Sequence, residues 1–351
     1  MGGPHPALAR TRRAVTSAFD AAGIGGGSSV LLAVSGGSDS MALAQAAIFV
    51  CQRKGIIVSS LTVDHGWREG SSEEADQVRR ELGRMGADPA RLIRVESRRD
   101  GGVEGAARAA RYAALAEAAR AMPGPAAVLC GHTADDQAET VLLGLGRGSG
   151  PRSIAGMPAL GTCPGAPDIR LLRPFLGLRR AELRAAVASE GLEWVEDPTN
   201  GADSAVRASD GSLLRRAAIR HRCIPALEEA LGPGVVEALA RTAALLREDL
   251  SALDELAEKT DSKLGVEPSL QELGALPAAL RTRVLRRRAI DGGARPGELT
   301  SWHIATLDSL VTRRRGGSSL DLPGMKVTIG EGRITFGGAV PMNREDNRGS
   351  S

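Results

Sequence analysis

The chain has 351 residues, of which 42% are apolar and 25% are charged, and its formal net charge is +3. This composition is that of an ordinary globular protein, and the length predicts two or three domains with hydrophobic cores of their own. Aromatic residues make up only 2% of the chain, which argues against nucleic-acid binding that relies mainly on base stacking.

The cysteines and the apolar runs predict the compartment. The four cysteines are far apart and form no C-x-x-C pair, which argues against a zinc knuckle, an iron–sulfur site or a disulfide scaffold. Residues 1–13 contain no apolar signal segment, and no run reaches the ~18 apolar residues that a membrane span needs. We therefore expect a soluble, cytoplasmic protein that has no membrane partner.

Strands and helices alternate through the first part of the chain. The predicted strands are apolar runs of strand length, and a helical pattern follows each of them. This alternation predicts a doubly wound parallel sheet with helices on both faces, which is an α/β fold. In chain order we predict helix 6–22, strand 30–34, helix 41–53, strand 56–63, helix 72–85, strand 92–95, helix 105–121, strand 126–130 and helix 135–145.

The rest of the chain predicts more helix and a small α+β module. The elements expected there are a Gly/Pro-rich loop 146–167, helix 181–190, a mobile polar segment 200–212, a helical arm 224–258, helices 269–288 and 299–313, and strands 320–327 and 333–336. We accordingly divide the chain into a catalytic domain 1–212, a helical linker arm 213–262, a C-terminal α+β module 263–340 and a disordered tail 341–351.

Polar and glycine-rich clusters follow three of the predicted strands, after Val34, Val63 and Cys130. In open α/β sheets, ligands bind at the carboxyl ends of the strands. The three clusters therefore predict one ligand site at that edge of the sheet.

The first cluster is a loop between a buried strand and a helix, and its residues are Ser35, Gly36, Gly37, Ser38, Asp39 and Ser40. Glycines allow backbone N–H groups to approach an anion, hydroxyls add donors, and the helix start adds partial positive charge. The loop lacks the lysine of a Walker A motif, so neutralising a phosphate needs Mg²⁺ and arginines, and Asp39 suits Mg²⁺. We predict a phosphate site; the alternative is a tight turn that Asp39 caps.

This loop resembles the pyrophosphate loop of the N-type ATP pyrophosphatases (PP-loop enzymes), which split ATP between the α- and β-phosphates. Within that group the chain resembles the tRNA(Ile)-lysidine synthetase family. The resemblance covers about residues 29–225 and rests also on Asp64–Arg68, Glu104–Tyr112, Gly131–Thr140, Arg147–Gly150, Arg173-Pro174 and Asp197–Asn200. The tail, with Leu322-Pro323-Gly324, resembles the family's tRNA-contacting module more weakly.

The resemblance implies an enzyme that joins L-lysine to C2 of the wobble cytidine, position 34, of tRNA(Ile) with a CAU anticodon. An adenylated cytidine would be the intermediate, ATP would give AMP and pyrophosphate, and the product would be lysidine. The implied cofactors and partners are ATP, Mg²⁺, lysine and this tRNA, and a homodimer is left open. Two alternatives remain: a PP-loop tRNA thiolase and a non-catalytic ATP-sensing domain.

The resemblance also assigns an ATP site. Besides the loop Ser35–Ser40, the residues expected to bind ATP are Val63, Arg108 and Arg111. Arg108 and Arg111 lie three residues apart on one helix face and would clamp the α-phosphate as charge develops there. The alternative for these two arginines is a solvated helix face.

A second group of residues is expected to act on the lysine and the cytidine. Asp136 is the predicted second Mg²⁺ ligand beside Asp39, and with Glu139 it is expected to hold the lysine ammonium, because positions i and i+3 share a helix face. His132 is expected to orient the target or to move a proton. Together with Arg111, the residues Asp39, His132 and Asp136 are the predicted catalytic groups. The alternatives are an acidic patch that caps a helix and a structural histidine.

One run departs from the family pattern. Family members carry Arg-Asn-Arg-[Ile/Leu]-Arg before the arm, whereas this chain has Ala217 and Ala218 between Arg216 and Ile219. Another arginine, such as Arg215, would then have to replace the middle one.

Arginines also cluster in the C-terminal part, at positions 281, 283, 286, 287 and 288 and again at 313–315. Clustered arginine suits contact with a phosphate backbone, and the alternative is a solvated helix face. We expect Arg286, Arg287 and Arg314 to bind tRNA.

Overall fold

A computed structural model gives the structure of the chain and describes residues 3–64, 66, 70–95, 103–124, 126–148, 150–196, 214–313 and 317–337. The chain divides into two compact units, Met1–Gly148 with Ser153–Ala244 and Ser149–Arg152 with Leu245–Ser351. The finer predicted division into catalytic domain, arm, module and tail stays a prediction.

The first unit is built on a six-stranded sheet. Its strands are β1 Ser29–Ala33, β2 Ile57–Asp64, β3 Ala90–Arg94, β4 Ala126–Cys130, β5 Leu160–Cys163 and β6 Ala166–Leu172. They lie in the order β3-β2-β1-β4-β6-β5, and every pair is parallel except β5 with β6. Ala33 is in register with both Leu61 and Cys130, so β1 and β4 end level with each other. The predicted parallel α/β sheet is confirmed.

Helices cover both faces of this sheet. The helices of the first unit are α1 Pro6–Ala22, α2 Ser38–Lys54, α3 Ser71–Met85, α4 Val103–Arg120, α5 Ala134–Arg147, α7 Arg180–Ala188, α8 Arg215–Ala218 and α9 Ile224–Leu231, with a π-helical turn, Ile219–Cys223, between the last two. The short helix α6 Pro151–Ile154 is divided between the two units. On β1, Leu32 belongs to the core that contains Leu43 of α2, whereas Leu31 belongs to the opposite core with Tyr112 of α4. Alternate residues of one strand are thus buried on both faces, which explains the continuous apolar run.

The second unit is a smaller α+β structure. Its elements are the C-terminal part of α10 Val235–Asp261, then α11 Leu270–Ala275, α12 Ala278–Asp291, α13 Ser301–Thr312, β7 Ser318–Leu322, β8 Met325–Gly330 and β9 Arg333–Phe336. The three strands form an antiparallel sheet in the order β7-β8-β9. Met325, Val327 and Ile329 point to the core on alternate positions of β8, as a half-buried strand requires.

Several element predictions were wrong, and each error has a local cause. The expected loop 146–167 contains α6 and β5, and β6 follows it, because β5 is a short edge strand without an apolar run. The predicted arm helix is broken by Gly232-Pro233-Gly234 into α9 and α10, and the predicted helix 269–288 is broken before α12 at Pro277. The predicted strand 320–327 is a hairpin that turns at Pro323-Gly324.

Two expectations cannot be compared with the fold. The predicted mobile segment 200–212 and the predicted tail 341–351 lie outside the described residues. Within the described part of the chain, no helix is both long and apolar enough to cross a membrane.

Candidate active site

The loop after β1 leads directly into α2. The Ser40 hydroxyl accepts a hydrogen bond from the Ser35 N–H at 3.2 Å and donates one to the Gly37 carbonyl at 2.9 Å. From outside the loop, the Val195 N–H donates to the Gly36 carbonyl at 2.9 Å. The loop therefore keeps its shape through its own hydroxyl group and through one neighbouring segment.

No side chain in the described part of the chain caps the first turn of α2, where Gly37 is the N-cap. Uncapped N–H groups at a helix start carry partial positive charge and bind phosphates well. Gly36 has a φ of +88°, and a Cβ there would lie 2.7 Å from Cγ2 of Val78, so a larger residue does not fit. The loop has the geometry of an anion site, and its binding of pyrophosphate stays a prediction.

The start of α2 also packs against the end of β4. A Cβ on Gly131 would lie 2.7 Å from the backbone oxygen of Asp39. Because Gly131 lacks that atom, the loop after β1 and the residues that follow β4 come into direct contact. The structure thus brings Asp39 together with the predicted residues on the first turn of α5.

Asp136 has two different environments on its two oxygen atoms. Oδ2 accepts hydrogen bonds from the N–H and the hydroxyl of Thr133, at 2.8 and 2.9 Å, in a capping box at the start of α5. Oδ1 accepts a hydrogen bond from Arg180 at 3.0 Å. Burial alone raises the pKa of Asp136, but Arg180, His132 and the bonds from Thr133 together lower it. Asp136 is therefore an anion that the helix cap holds in place.

Arg180, at the first position of α7, bridges the two predicted metal ligands. Its Nε lies 2.8 Å from Oδ2 of Asp39, and its Nη2 lies 3.0 Å from Oδ1 of Asp136. Burial raises the pKa of Asp39 in spite of the opposing effect of Arg180. The two carboxylates raise the pKa of Arg180 above its ordinary value against the effect of burial. The sequence analysis missed Arg180, because nothing in its sequence pattern points to the loop.

Glu139 is fully buried and is also paired with arginines. Its Oε1 accepts a hydrogen bond from Nε of Arg220 at 2.7 Å, and Oε2 lies 3.5 Å from Nη1 of Arg216. These are the two arginines that remain in the run where the family pattern is altered. Glu139 thus positions Arg216 and Arg220, and its contact with a lysine ammonium stays a prediction.

Arg108 and Arg111 both contact the buried Tyr112 ring. Their Cζ atoms are 5.0 and 5.3 Å from the ring centroid, which is cation–π distance. Burial, and then repulsion by Arg111, Arg216 and Arg173, lowers the pKa of Arg108 although Tyr112 opposes the shift. The sequence analysis gave no role to Arg173, which is buried and donates to the Pro158 carbonyl at 2.9 Å. Arg108 thus lies in the positive field of three further guanidinium groups, and such a field attracts anions.

His132 lies in the field of these arginines. Burial lowers the pKa of His132 to about 3; Asp136 opposes this shift, and Arg173, Arg111 and Arg108 add to it. Its buried Nδ1 has no hydrogen-bond partner among the described residues. At neutral pH the imidazole is therefore uncharged. It could donate a proton as an acid only after it has accepted one. Nδ1 is free to orient a substrate atom.

We expect His132 to make folding stability depend on pH. An unfolded histidine with a pKa near 6.5 takes up a proton that the folded one rejects, so stability is lost as the pH falls below about 6.5. Between pH 7.5 and pH 5 this loss amounts to about 2 kcal/mol. Thermal melts of the wild type should show this loss of stability, and those of His132→Asn should not. An equal pH dependence in both proteins would mean that folding does not lower the pKa of His132.

Val63 lies half-buried at the end of β2, and its contact with ATP stays a prediction. The carboxylate of the next residue, Asp64, accepts from the N–H of Gly66 at 2.9 Å and from the hydroxyl of Ser72 at 2.8 Å. Asp64 thus links the end of β2 to the first turn of α3. His65, Trp67 and Arg68, which carry part of the resemblance, lie outside the described residues, as do residues 197–200.

The comparison with known proteins decides the family. The family model of the PP-loop domain matches residues 9–227, and that of the TilS substrate binding domain matches residues 269–335. The tRNA(Ile)-lysidine synthase of Thermobifida fusca is 47% identical over 329 residues, which cover 93% of this chain and 96% of that protein. The chain belongs to the tRNA(Ile)-lysidine synthase family. A second lysidine synthase, from Streptomyces coelicolor, is 44% identical over 94% of this chain and 97% of its own length.

A solved structure of another enzyme shares the fold of this lysidine synthase family member. It is the U34-tRNA thiolase NcsA from Methanococcus maripaludis with its [4Fe-4S] cluster, with a TM-score of 0.54 and 15% identity over 69% of this chain and 79% of that chain. In the present chain Cys51, Cys130 and Cys163 are buried, and burial raises the pKa of all three thiols. Protonated, buried thiols are poor nucleophiles, so these three cysteines do not support the thiolase alternative.

The predicted tRNA-binding arginines differ in their partners. Arg287 lies 2.8 Å from Glu258, and Arg281, Arg283 and Arg288 likewise each pair with a carboxylate of the second unit. Arg286 donates to the carbonyls of Leu299 and Pro296 and has no carboxylate partner among the described residues. Arg314 lies outside the described residues. Most of the predicted basic cluster is therefore neutralised within the fold.

Proposed function

We propose that this lysidine synthase family member joins L-lysine to C2 of cytidine 34 in tRNA(Ile) with a CAU anticodon. ATP is consumed to AMP and pyrophosphate through an adenylated cytidine, and the reaction takes place in the cytoplasm. The observation that carries the proposal is the convergence of an uncapped phosphate loop, paired carboxylates and a group of arginines at one sheet edge of a chain with this family membership. A homodimer stays an untested prediction.

The chemistry explains why ATP is needed. The C2 carbonyl of cytosine is part of a conjugated urea, and direct attack by an amine would have to expel an oxide or hydroxide. The C2 oxygen attacks the α-phosphorus instead, and the α–β bond breaks to release pyrophosphate. The lysine ε-amine then attacks C2, loses a proton, and expels AMP together with the former C2 oxygen. Both steps use the same phosphate, so one pocket serves both.

The residues around the loop suit the first step. The N–H groups at the start of α2 have no side-chain cap among the described residues and would bind an anion such as pyrophosphate. The hydroxyls of Ser38 and Ser40 donate to Asp39 and to the Gly37 carbonyl, and that of Ser35 lies 3.3 Å from Ser40, so all three would have to turn to donate to a phosphate. Arg108 and Arg111, which both contact the Tyr112 ring, would stabilise charge on the α-phosphate. Neutral His132 offers Nδ1 to the cytosine.

The lysine ammonium and Mg²⁺ need the carboxylates. Asp136 and Glu139 would hold the ammonium, and Asp39 and Asp136 would hold Mg²⁺, which neutralises phosphate oxygens when it is bound. The described residues contain no group of three or more His, Cys, Asp or Glu side chains arranged for a metal. Two carboxylate oxygens that already share one cation do fit a divalent ion, provided that ATP and water supply its remaining ligands.

Pyrophosphate release tests the proposal. With ATP, lysine and a tRNA(Ile) transcript together, the enzyme should release pyrophosphate in step with lysidine formation. Leaving out lysine should stop turnover, since the adenylated cytidine then accumulates. A non-catalytic ATP-sensing domain, the second candidate, would bind ATP without any release that depends on tRNA and lysine, and that result would reject the proposal.

We expect Arg286→Ala to weaken tRNA binding and to lower the salt dependence of the affinity by about one unit of slope. Arg287→Ala is the matched variant and should change little, because Glu258 already neutralises Arg287. Filter binding at several salt concentrations measures both effects. Equal losses in the two variants would show that the ion pairs do not screen this surface from RNA.

A further inference from the structure

The backbone of Arg180, the arginine between the two predicted metal ligands, is held in place by a hydrogen bond. Its backbone N–H donates to Oδ2 of Asp135 at 2.8 Å, which fixes the start of α7 against the start of α5. From that fixed point the side chain reaches both Asp39 and Asp136, and all three side chains are at least three-quarters buried. Arg180 is thus a buried cation held by two carboxylates.

We propose that Arg180 is an exchangeable internal cation of this enzyme. In the nucleotide-free chain its guanidinium neutralises Asp39 and Asp136, and it leaves them when a divalent cation enters with ATP. The inference rests on the proposed function only for the identity of that cation, since the bridge itself is a feature of the chain.

The competition follows from the atoms involved. The guanidinium uses Oδ2 of Asp39 and Oδ1 of Asp136. The second oxygen of Asp136 is already used in the cap of α5, so a metal bound by both residues needs the same Oδ1 atom. Two cations on the same oxygen atom repel each other, so Arg180 and the metal compete for this position.

The exchange also explains how a buried acidic pair is tolerated. Two buried carboxylates without a cation would strongly destabilise the fold. With Arg180 in place they are paired before any ligand arrives. When the metal replaces it, the freed guanidinium lies beside the phosphate loop, where the anionic nucleotide offers a new partner.

The exchange predicts that the site binds a free metal ion more weakly than a metal ion in complex with ATP. Without ATP, Mg²⁺ or Mn²⁺ gains the two carboxylates but leaves a buried guanidinium without a partner, so binding is weak. With ATP, the phosphates compensate that guanidinium. Metal is expected to enter as the ATP complex.

Mn²⁺ binding to the nucleotide-free enzyme, measured by electron paramagnetic resonance of the free ion, tests the exchange. Arg180→Ala should bind Mn²⁺ at least tenfold more tightly than the wild type. Arg184→Ala is the matched control, because Arg184 lies one turn further along α7 and pairs with the exposed Glu196 at 3.1 Å. It should bind Mn²⁺ as weakly as the wild type. Asp39→Asn in the Arg180→Ala background should remove the gain.

If Arg180→Ala binds Mn²⁺ no more tightly than the wild type, the exchange is refuted. Arg180→Gln, which keeps the bulk without the charge, gives the same test if the alanine variant does not fold, as judged by circular dichroism. Neither measurement uses tRNA or lysine. Failure here would leave lysidine synthesis untouched, and absence of lysidine synthesis would leave the Mn²⁺ result standing.

Discussion

Asp136→Asn is expected to lower the rate of lysidine formation by about 10²–10³-fold, the usual effect of removing one preorganised electrostatic contact. The asparagine keeps an oxygen that can accept from Thr133, so the cap of α5 survives. It loses the negative charge that pairs with Arg180 and that a metal ion or an ammonium group would need. Single-turnover assays with saturating ATP and lysine measure the loss.

Asp168→Asn is the control for this substitution. Asp168 lies on β6, is half-exposed and pairs with Arg120, so its loss removes a surface ion pair of little value. It should form lysidine at the wild-type rate. If Asp136→Asn were also within about threefold of the wild type, Asp136 would be a helix cap only, and the metal and lysine roles would have to move to other residues.

Gly131→Ala is expected to weaken ATP binding through the backbone. The new Cβ would lie 2.7 Å from the Asp39 carbonyl oxygen, closer than such atoms pack, so the start of α2 or the end of β4 must shift. Overpacking of this kind costs about 1–3 kcal/mol, which corresponds to an affinity loss of roughly ten- to hundredfold. Equilibrium binding of a non-hydrolysable ATP analogue measures it.

Gly25→Ala provides the matched comparison, because a Cβ there meets nothing within 4 Å and Gly25 has no positive φ. It should bind the analogue like the wild type. Full affinity in Gly131→Ala, with unchanged thermal stability, would show that the contact between β4 and the phosphate loop does not set the loop geometry.

Local patterns predicted the sheet of the first unit well. The strands β1, β2 and β4 are buried on both faces. The sequences of β1 and β4 are therefore almost wholly apolar, whereas β2 combines apolar residues with the buried hydroxyl residues Ser59, Ser60 and Thr62. The edge strand β5 has neither property: Leu160 is exposed, and the strand has one neighbour only. An edge strand is defined by its pairing partner rather than by its own residues. The sequence of the four residues of β5 therefore predicted a loop.

The site residues that the sequence predicted are likewise those whose position follows from the strands. Asp39, His132 and Asp136 follow strand ends, so the sheet topology alone predicted that they would meet. Arg180 is 141 residues from Asp39 in the chain, and its partner depends on where α7 begins. Arg173 likewise gains its role from burial beside His132. An arginine's partner is set by long-range packing, which no local pattern encodes.

The fate of the cytidine C2 oxygen tests the whole account most directly. A tRNA(Ile) transcript that carries ¹⁸O on C2 of cytidine 34 is converted to the lysidine form with ATP and lysine. Mass spectrometry then measures the ¹⁸O content of the products. Transfer of AMP to that oxygen predicts one ¹⁸O atom in the AMP for each lysidine formed, with none in pyrophosphate or water. Label in the solvent or in pyrophosphate, with unlabelled AMP, would contradict adenylation at this site.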